Sequence, residues 1–295
     1  MSNKLLFIVN PVSGRAKAKT VLFDILSVFA SRDFVPTVHI TRRQGDARLV
    51  TAKWASEYDR VVCCGGDGTL NEVISGVMDA KTDTPIGYIP LGSTNDFAAS
   101  MCIPVSPVEA AEHATSDNIH RLDIGRFRER YFSYIASFGA FTAASYSAPQ
   151  TTKNMLGHAA YVFEGVKDIV NIRPLHVRLE ADGNTYDGHY VFGAITNSTS
   201  VGGIVKLSPQ IVDRQDGLFE VTLVKPPQNL MDLNKIITAL SAGDFSGNPM
   251  FQFFKASSLK VFSEDFFDWS LDGEHVKGTD EIKIQNLKQA VRFIL

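Results

Sequence analysis

The sequence predicts an α/β protein: a doubly wound parallel sheet over residues 1–125, followed by a mostly antiparallel, β-rich domain over 126–295. Three observations lead there. In the first part, apolar runs of strand length alternate with segments of helical spacing, the pattern of a parallel sheet covered by helices. Polar, glycine-rich turns follow three of those strands, at the carboxyl ends where open α/β sheets hold ligands. From residue 119 onward strand-like runs and Asp-Gly turns take over. A length of 295 residues suits two domains at roughly 150 residues each.

Leu5, Leu6, Phe7, Ile8 and Val9 form a continuous apolar strand that Asn10-Pro11 and Gly14 end in a turn. Residues 16–30 carry Val21, Leu22, Ile25, Leu26 and Phe29 at helical spacing. Residues 36–40 read as the second strand and 46–56 as a helix. The third strand, 60–64, ends in Gly65-Gly66, and a helix follows at 70–78. The fourth, 85–89, leads to a turn at Gly92. Beyond that, strands are expected at 119–127, 131–138, 175–181, 186–196, 218–224, 258–262, 266–271, 281–284 and 290–295. Helical inserts are expected at 159–170 and 230–240. Asp182-Gly183 and Asp187-Gly188 read as tight turns. The last segment is free to return to the first domain. There is no internal repeat, low-complexity tract or long charge run.

Hydrophobic residues make up 44% and charged residues 21%, which excludes disorder, collagen and coiled coil as the main state. With 29 basic and 32 acidic residues the net charge is −3, so the chain as a whole carries no nucleic-acid signature. Cys63, Cys64 and Cys102 form no disulfide framework, which fits a reducing cytosol. The lead before the first strand does not read as a signal peptide. Residues 131–152 carry no charge but are rich in Ser, Thr and Ala, too weakly apolar for a spanning helix. They read as core strand and loop, and any membrane is met from its surface.

The chemistry concentrates in three turns. The first to weigh is Gly65, Gly66, Asp67, Gly68, Thr69, Leu70, Asn71. Its glycines let backbone approach a ligand where side chains would clash. The free N–H groups at the helix start behind them favour an anion. A carboxylate in a phosphate cradle is repulsive alone; it makes sense if Asp67 holds a metal ion, or its water, against the phosphates. No Gly-Lys-Ser/Thr follows, so this is not a P-loop. The dinucleotide fingerprint also fails, because its third glycine falls at Asn71. The second turn is Asn10, Pro11, Val12, Ser13, Gly14, with Arg15, Lys17 and Lys19 behind it. The third is Pro90, Leu91, Gly92, Ser93, Thr94, Asn95, Asp96. Each alone reads as a turn, but a doubly wound sheet places all three on one rim.

Together with Leu122-Asp123-Ile124-Gly125 and Leu271-Asp272-Gly273-Glu274, this ordered set resembles the diacylglycerol kinase catalytic domain family. That family includes soluble bacterial diacylglycerol kinases, sphingosine kinases and ceramide kinases. The resemblance covers nearly the whole chain; Ser93 stands where the family usually has Thr, with the hydroxyl kept. It implies an NAD kinase/diacylglycerol kinase-like first domain, a β-sandwich second domain, and ATP bound between them. Asn10, Pro11, Val12, Ser13, Gly14, Thr41, Gly66, Asp67, Gly68, Thr69, Leu70, Asn71 and Thr94 would contact the nucleotide. Glu274 would be the general base, taking the proton of a lipid alcohol as it attacks the γ-phosphate; from the sequence alone, Asp272-Gly273 reads equally well as a hairpin turn. Asp213, Asp216 and Leu218 match a structural Mg²⁺ loop of the bacterial members, and hard oxygen ligands suit that ion. Left to themselves, Asp216-Gly217 read as a turn.

The implied activity is phosphorylation of a lipid hydroxyl, that of diacylglycerol first, in phospholipid metabolism, by a cytoplasmic enzyme working peripherally on the inner face of the membrane. The alternatives are another lipid acceptor, sphingosine-like or phosphatidylglycerol, and a catalytically silent ATP-binding sensor. A homodimer is left open, and neither nucleic acid nor a transmembrane segment is expected. The seven histidines show no metal-ligand spacing, and Cys63-Cys64 read as core. Arg121, Arg126, Arg128 and Arg130 read as a solvated strand face, the alternative being contact with anionic lipid at about 1 kcal/mol per basic residue.

Overall fold

The computed structural model describes residues 3–16, 18–93, 95–140, 173–201, 205–207, 210–245 and 247–295. Lys17, Thr94, the expected helix at 159–170 and the later part of the 131–152 stretch lie outside the described residues. The chain divides into two compact units, Met1–Asp123 with Gln289–Leu295, and Ile124–Lys288.

The first unit opens with β1 (Asn3–Val9), α1 (Ser13–Ala16), α2 (Ala18–Ser31) and β2 (Phe34–Ile40). It continues through α3 (Asp46–Trp54), β3 (Arg60–Gly65), α4 (Asp67–Ala80), β4 (Ile86–Pro90), α5 (Asp96–Ser100), α6 (Pro107–Ala114) and the start of β5 (Ile119–Phe127). The strands run in the order β2-β1-β3-β4, all parallel. The doubly wound expectation therefore holds. Pro36 sits in β2, which is the edge strand, where its missing N–H costs no ladder bond.

Leu70, Val73, Ile74 and Val77 recur at helical spacing and are buried, so they draw α4 onto the sheet. Lys81 at φ 51 ends that helix. Phe7 of β1 meets Phe29 of α2 edge to face at 5.0 Å within a core that also holds Leu5, Val9, Ile25, Val62 and Ile89. Burying each such side chain contributes about 1.5–3 kcal/mol. Two short helices, α5 and α6, were not anticipated, although Pro107 at the first position of α6 is a start signal.

The second unit holds two antiparallel sheets. It contains β6 (Arg130–Phe132), β7 (Ile135–Gly139), β8 (Leu175–Ala181), β9 (Asn184–Tyr190), β10 (Phe192–Thr196), and the short pair β11 (Ser200–Val201) and β12 (Val205–Lys206). After these come β13 (Phe219–Val224), α7 (Leu230–Ala242), β14 (Phe251–Ala256), β15 (Ser258–Phe262), β16 (Trp269–Leu271), β17 (Glu274–Val276) and the start of β18 (Glu281–Ile294). One sheet contains β18-β15-β8-β9 and the other runs β14-β13-β10-β7-β16-β17. Val177, Leu179, Val261, Ile282 and Ile284 of the first pack against Phe138, Ile195, Val221, Leu223 and Trp269 of the second, making a sandwich. Against the outer side of the second sheet, Ile236, Ala239 and Leu240 of α7 pack on Phe192, Val224 and Phe251.

Several expected boundaries shift. The run 186–196 is two strands, because the chain leaves one sheet after Tyr190 and joins the other at Phe192. Asp187-Gly188 therefore lies inside β9 and is no turn, while Asp182-Gly183 does turn, at φ 45 and 88. The separate strands at 281–284 and 290–295 are one strand bent at Gln289, φ 49, whose N–H donates to the buried Asp123 at 2.7 Å. The strand expected at 266–271 shortens to β16. Among the described residues no helix is long and apolar enough to cross a membrane.

Candidate active site

In the first unit, parallel register brings the ends of the strands level. The Asn10 N–H donates to the Cys64 carbonyl at 2.9 Å, the Thr41 N–H to the Val9 carbonyl at 2.9 Å, and the Leu91 N–H to the Gly65 carbonyl at 2.7 Å. The turns after β1, β2, β3 and β4 consequently share one rim. Asn10 Nδ2 donates to Thr69 Oγ1 at 2.9 Å, tying the first turn to the second. Its own Oδ1 accepts the Val12 N–H at 3.1 Å, which shapes the turn holding Pro11, Val12, Ser13 and Gly14. Gly14 has φ 57, a conformation that favours glycine.

The second and third turns touch backbone to backbone. A Cβ on Gly92 would lie 2.7 Å from the Gly66 Cα, and one on Gly66 would lie 3.2 Å from the Gly92 Cα. Gly92 has no room for a side chain without a backbone shift, and Gly66 has room for one only if its neighbour gives by a few tenths of an ångström. Gly66 is the N-cap of α4 and brings no side chain to its first turn. The N–H groups at Asp67, Gly68 and Thr69 thus open the helix at its positive end, the arrangement that favours an anion. Leu70 is buried and anchors the helix, and Asn71 accepts from Ser75 Oγ at 3.5 Å.

Asp67 does more than the sequence suggested. Its carboxylate accepts the N–H of Asp96 at 3.1 Å and of Phe97 at 3.3 Å, so it caps α5 and fixes the third turn. The same carboxylate stands in the first turn of α4, so it ties the second turn to the third. The Tyr88 phenol donates to the Gly65 carbonyl at 3.3 Å, and burial, then Asp67, push its pKa well above the ordinary range. It therefore remains a donor. Burial also pushes the Cys64 thiol up to about 12, consistent with an inert core cysteine.

Glu72 is a residue whose role the sequence did not show. Its two oxygens accept the N–H groups of Gly45 at 2.7 Å and Ala47 at 3.1 Å, holding the segment after Thr41 against α4. Only its place after Asn71, one turn along the buried helix, could have signalled it.

In the second unit, Leu271 pairs with Glu274 across the two-residue turn Asp272-Gly273, at φ 48 and 84. The turn reading is therefore correct, and Asp272 is its post. The buried carboxylate accepts the N–H groups of Ser133, Tyr134 and Ile135 and the Ser133 hydroxyl, at 2.6–3.1 Å. Glu274 leaves this rigid hairpin half-exposed, with Arg130 Nη2 donating to its Oε2 at 2.6 Å.

Asp213, Asp216 and Leu218 lie just before β13. Asp216 Oδ1 accepts the Leu218 N–H at 2.8 Å, and Oδ2 lies 3.1 Å from the Lys255 ammonium. Asp213 Oδ1 accepts the Gln215 N–H at 2.9 Å. The Asp216 carboxylate is thus already engaged by an ammonium and a backbone N–H, and a divalent cation here would share it with Lys255 or replace that ammonium. Among the described residues no three His, Cys, Asp or Glu side chains gather as a ligand set. Such a site would lean on backbone carbonyls beside the one carboxylate of Asp216.

Residues 4–127 match the diacylglycerol kinase catalytic domain, and residues 135–294 match the YegS C-terminal NAD kinase beta sandwich-like domain. A diacylglycerol kinase of Bacillus subtilis is 33% identical over 270 residues, 91% of this chain and 88% of the relative. One from Staphylococcus saprophyticus is 31% identical over 99% of this chain and 95% of its own length. The crystal structure of a diacylglycerol kinase from Bacillus anthracis superposes with a TM-score of 0.82 over 99% of this chain and 96% of that one, at 24% identity. With the rim of turns on one unit, the Leu271–Glu274 hairpin on the other, and both domains matched in order, the chain belongs to the diacylglycerol kinase family of lipid kinases, and with it to the transferases.

Proposed function

We propose that the protein transfers the γ-phosphoryl group of ATP to the hydroxyl of diacylglycerol, giving phosphatidic acid and ADP at the surface of a bilayer. The observation that carries this reading is the rim itself: four strand-end turns in register, two of them in glycine-to-glycine contact, around the open start of α4. Asn10, Pro11, Val12, Ser13, Gly14, Thr41, Gly66, Asp67, Gly68, Thr69, Asn71 and Thr94 hold the nucleotide, with the first N–H groups of α4 on its phosphates; Leu70, expected among them, is fully buried with its N–H bonded to the Gly66 carbonyl, so it anchors the helix beneath. Mg²⁺, when bound, would supply neutralisation of the charge that phosphoryl transfer spreads over the phosphate oxygens. Asp67, which caps α5, would hold that ion through its water. Asp216, with the carbonyls of Asp213 and Leu218, would hold a second, structural Mg²⁺.

Glu274 takes the proton of the lipid hydroxyl as its oxygen attacks phosphorus and the bond from phosphorus to the leaving ADP oxygen breaks. Asp272 keeps the hairpin rigid and Arg130 keeps the Glu274 carboxylate oriented. The test is Glu274→Gln. General-base catalysis contributes about 10²–10⁴-fold, so turnover should fall by that factor while ATP affinity and the melting temperature stay near wild type. Turnover within a few-fold of wild type would remove Glu274 from the chemistry.

A further inference from the structure

The four arginines at 121, 126, 128 and 130 do not form one solvated face. Arg121 is held by Asp83 at 2.8 Å and Arg130 by Glu274 at 2.6 Å. Among the described residues Arg126 and Arg128 hydrogen-bond only neutral groups: Gln285 Oε1 for the first, the Lys277 carbonyl and Thr279 Oγ1 for the second. Both line a groove of about 700 Å³ on the outer face of the sheet formed by β18 and β15 in the second unit. Lys260 and Lys283 line it too, against two acids, Glu129 and Glu281.

The register makes this cluster unusual. Lys260 stands directly opposite Lys283 across β15 and β18. Like charges placed so are destabilising, and opposite charges are the usual arrangement. Lys283 has Glu281 at 3.7 Å, whereas Lys260 has no ion-pair partner among the described residues, since its other neighbour, Glu180, is taken by Arg178 at 3.0 Å. In a chain of net charge −3, the cations have gathered here at a cost to the sheet.

The groove also connects to the proposed base. Arg128 sits at φ 52 in the two-residue turn between β5 and β6, and the first residue after that turn is Arg130, the partner of Glu274. Arg128 further fastens the Lys277 carbonyl, just beyond β17.

We propose that this groove docks the anionic phospholipid headgroups of a bilayer, and so seats the hairpin carrying Glu274 at the membrane surface. Charge complementarity selects the occupant: two acidic side chains against four basic ones favour clustered phosphates, and a second copy of this chain would bring the same positive groove. The role of the hairpin rests on the lipid-kinase reading above, but the docking itself does not.

The test is flotation of the full-length protein with vesicles of phosphatidylcholine alone or of phosphatidylcholine mixed with phosphatidylglycerol, for wild type and the double variant Lys260→Gln/Lys283→Gln. Wild type should bind only the anionic vesicles, and salt should release it. Each basic residue near an anionic surface is worth about fivefold in affinity, so the double variant should bind about 30-fold more weakly. Its melting temperature should stay the same or rise, because the opposed ammonium groups are gone. Its turnover of diacylglycerol in uncharged detergent micelles should match wild type. Equal binding of both proteins to anionic vesicles would overturn the proposal, as would equal binding of wild type to neutral and anionic vesicles. A variant that binds vesicles normally but loses self-association would assign the groove to a second copy instead. No micellar turnover by wild type, with vesicle binding as expected, would reject the kinase reading and leave the docking surface standing. If the double variant unfolds, Arg126→Gln, which removes an exposed side chain bonded among the described residues only to Gln285, must show about a fivefold loss, and normal binding by it would overturn the proposal.

Discussion

Glu220 offers a pH-dependent test of the second unit. It lies on β13 opposite Thr196 and Lys255, and it is fully buried. Neither carboxylate oxygen has a hydrogen bond of good geometry, and the Lys255 ammonium is 3.1 Å from Oε1. Burial pushes its pKa up to about 7 from the ordinary 4.5, more than Lys255 pulls it back. The folded chain therefore binds this proton more tightly than the unfolded chain does. Stability from the group is fully present below pH ~4.5 and is lost as pH rises through ~7. Each pH unit between those two values is worth about 1.4 kcal/mol, so the loss is about 3 kcal/mol. In Glu220→Gln the side chain stays neutral throughout, so the variant lacks that loss. Thermal melts of both proteins from pH ~4.5 to ~8 should show the variant gaining on wild type by roughly 6–12 °C as pH rises. Titrating groups that do not touch Glu220, Lys255 or Asp216 cancel in the difference. Parallel melting curves across that range would mean that Glu220 is ionised throughout and fully compensated by Lys255, refuting the reasoning.

Gly92→Ala should abolish nucleotide binding, measured by calorimetry, because its Cβ would press into the Gly66 backbone that the phosphates need; normal ATP affinity would contradict the rim. Asp67→Ala should abolish turnover and also lower the melting temperature, since it removes the cap on α5 as well as the water-orienting carboxylate, at about 1 kcal/mol for the cap. Near-normal turnover at saturating Mg²⁺ would remove Asp67 from the chemistry. Wild type should melt higher as Mg²⁺ is raised, and Asp216→Ala should show a weaker rise. Identical Mg²⁺ responses would count against a metal at Asp213, Asp216 and Leu218.

The layout of the first unit was legible because its strands are continuous apolar runs that stop at Asn10, Gly65 and Pro90, and because parallel order puts such ends on one side. What the spacing does not encode is which side chains stitch the rim. Asn10 reaches Thr69 across 59 positions and Asp67 reaches Phe97 across 30, so neither bond leaves a periodic trace. The second unit was read less well. Val191 sits in an unbroken apolar run, yet the chain changes sheets there, and no turn residue marks the change. Asp187-Gly188 shows the opposite failure, since a turn dipeptide is absorbed into a strand by pairing with Arg178 and Val177. Asp272-Gly273 did read as a turn, but its buried carboxylate, with four donors from residues 133–135, becomes visible only once β7 lies beside β16.

Transfer of phosphate from ATP to diacylglycerol is the reaction on which the roles of the rim and of Glu274 rest. The direct measurement is transfer of label from γ-³²P-ATP to each member of a lipid panel, namely diacylglycerol, sphingosine, ceramide, phosphatidylglycerol and undecaprenol, in mixed micelles with Mg²⁺. Label should appear in phosphatidic acid, and Glu274→Gln should reduce it by about 10²–10⁴-fold. Labelling of another lipid in preference to diacylglycerol would contradict the substrate, and labelling of none, with ATP still bound, would contradict catalysis itself.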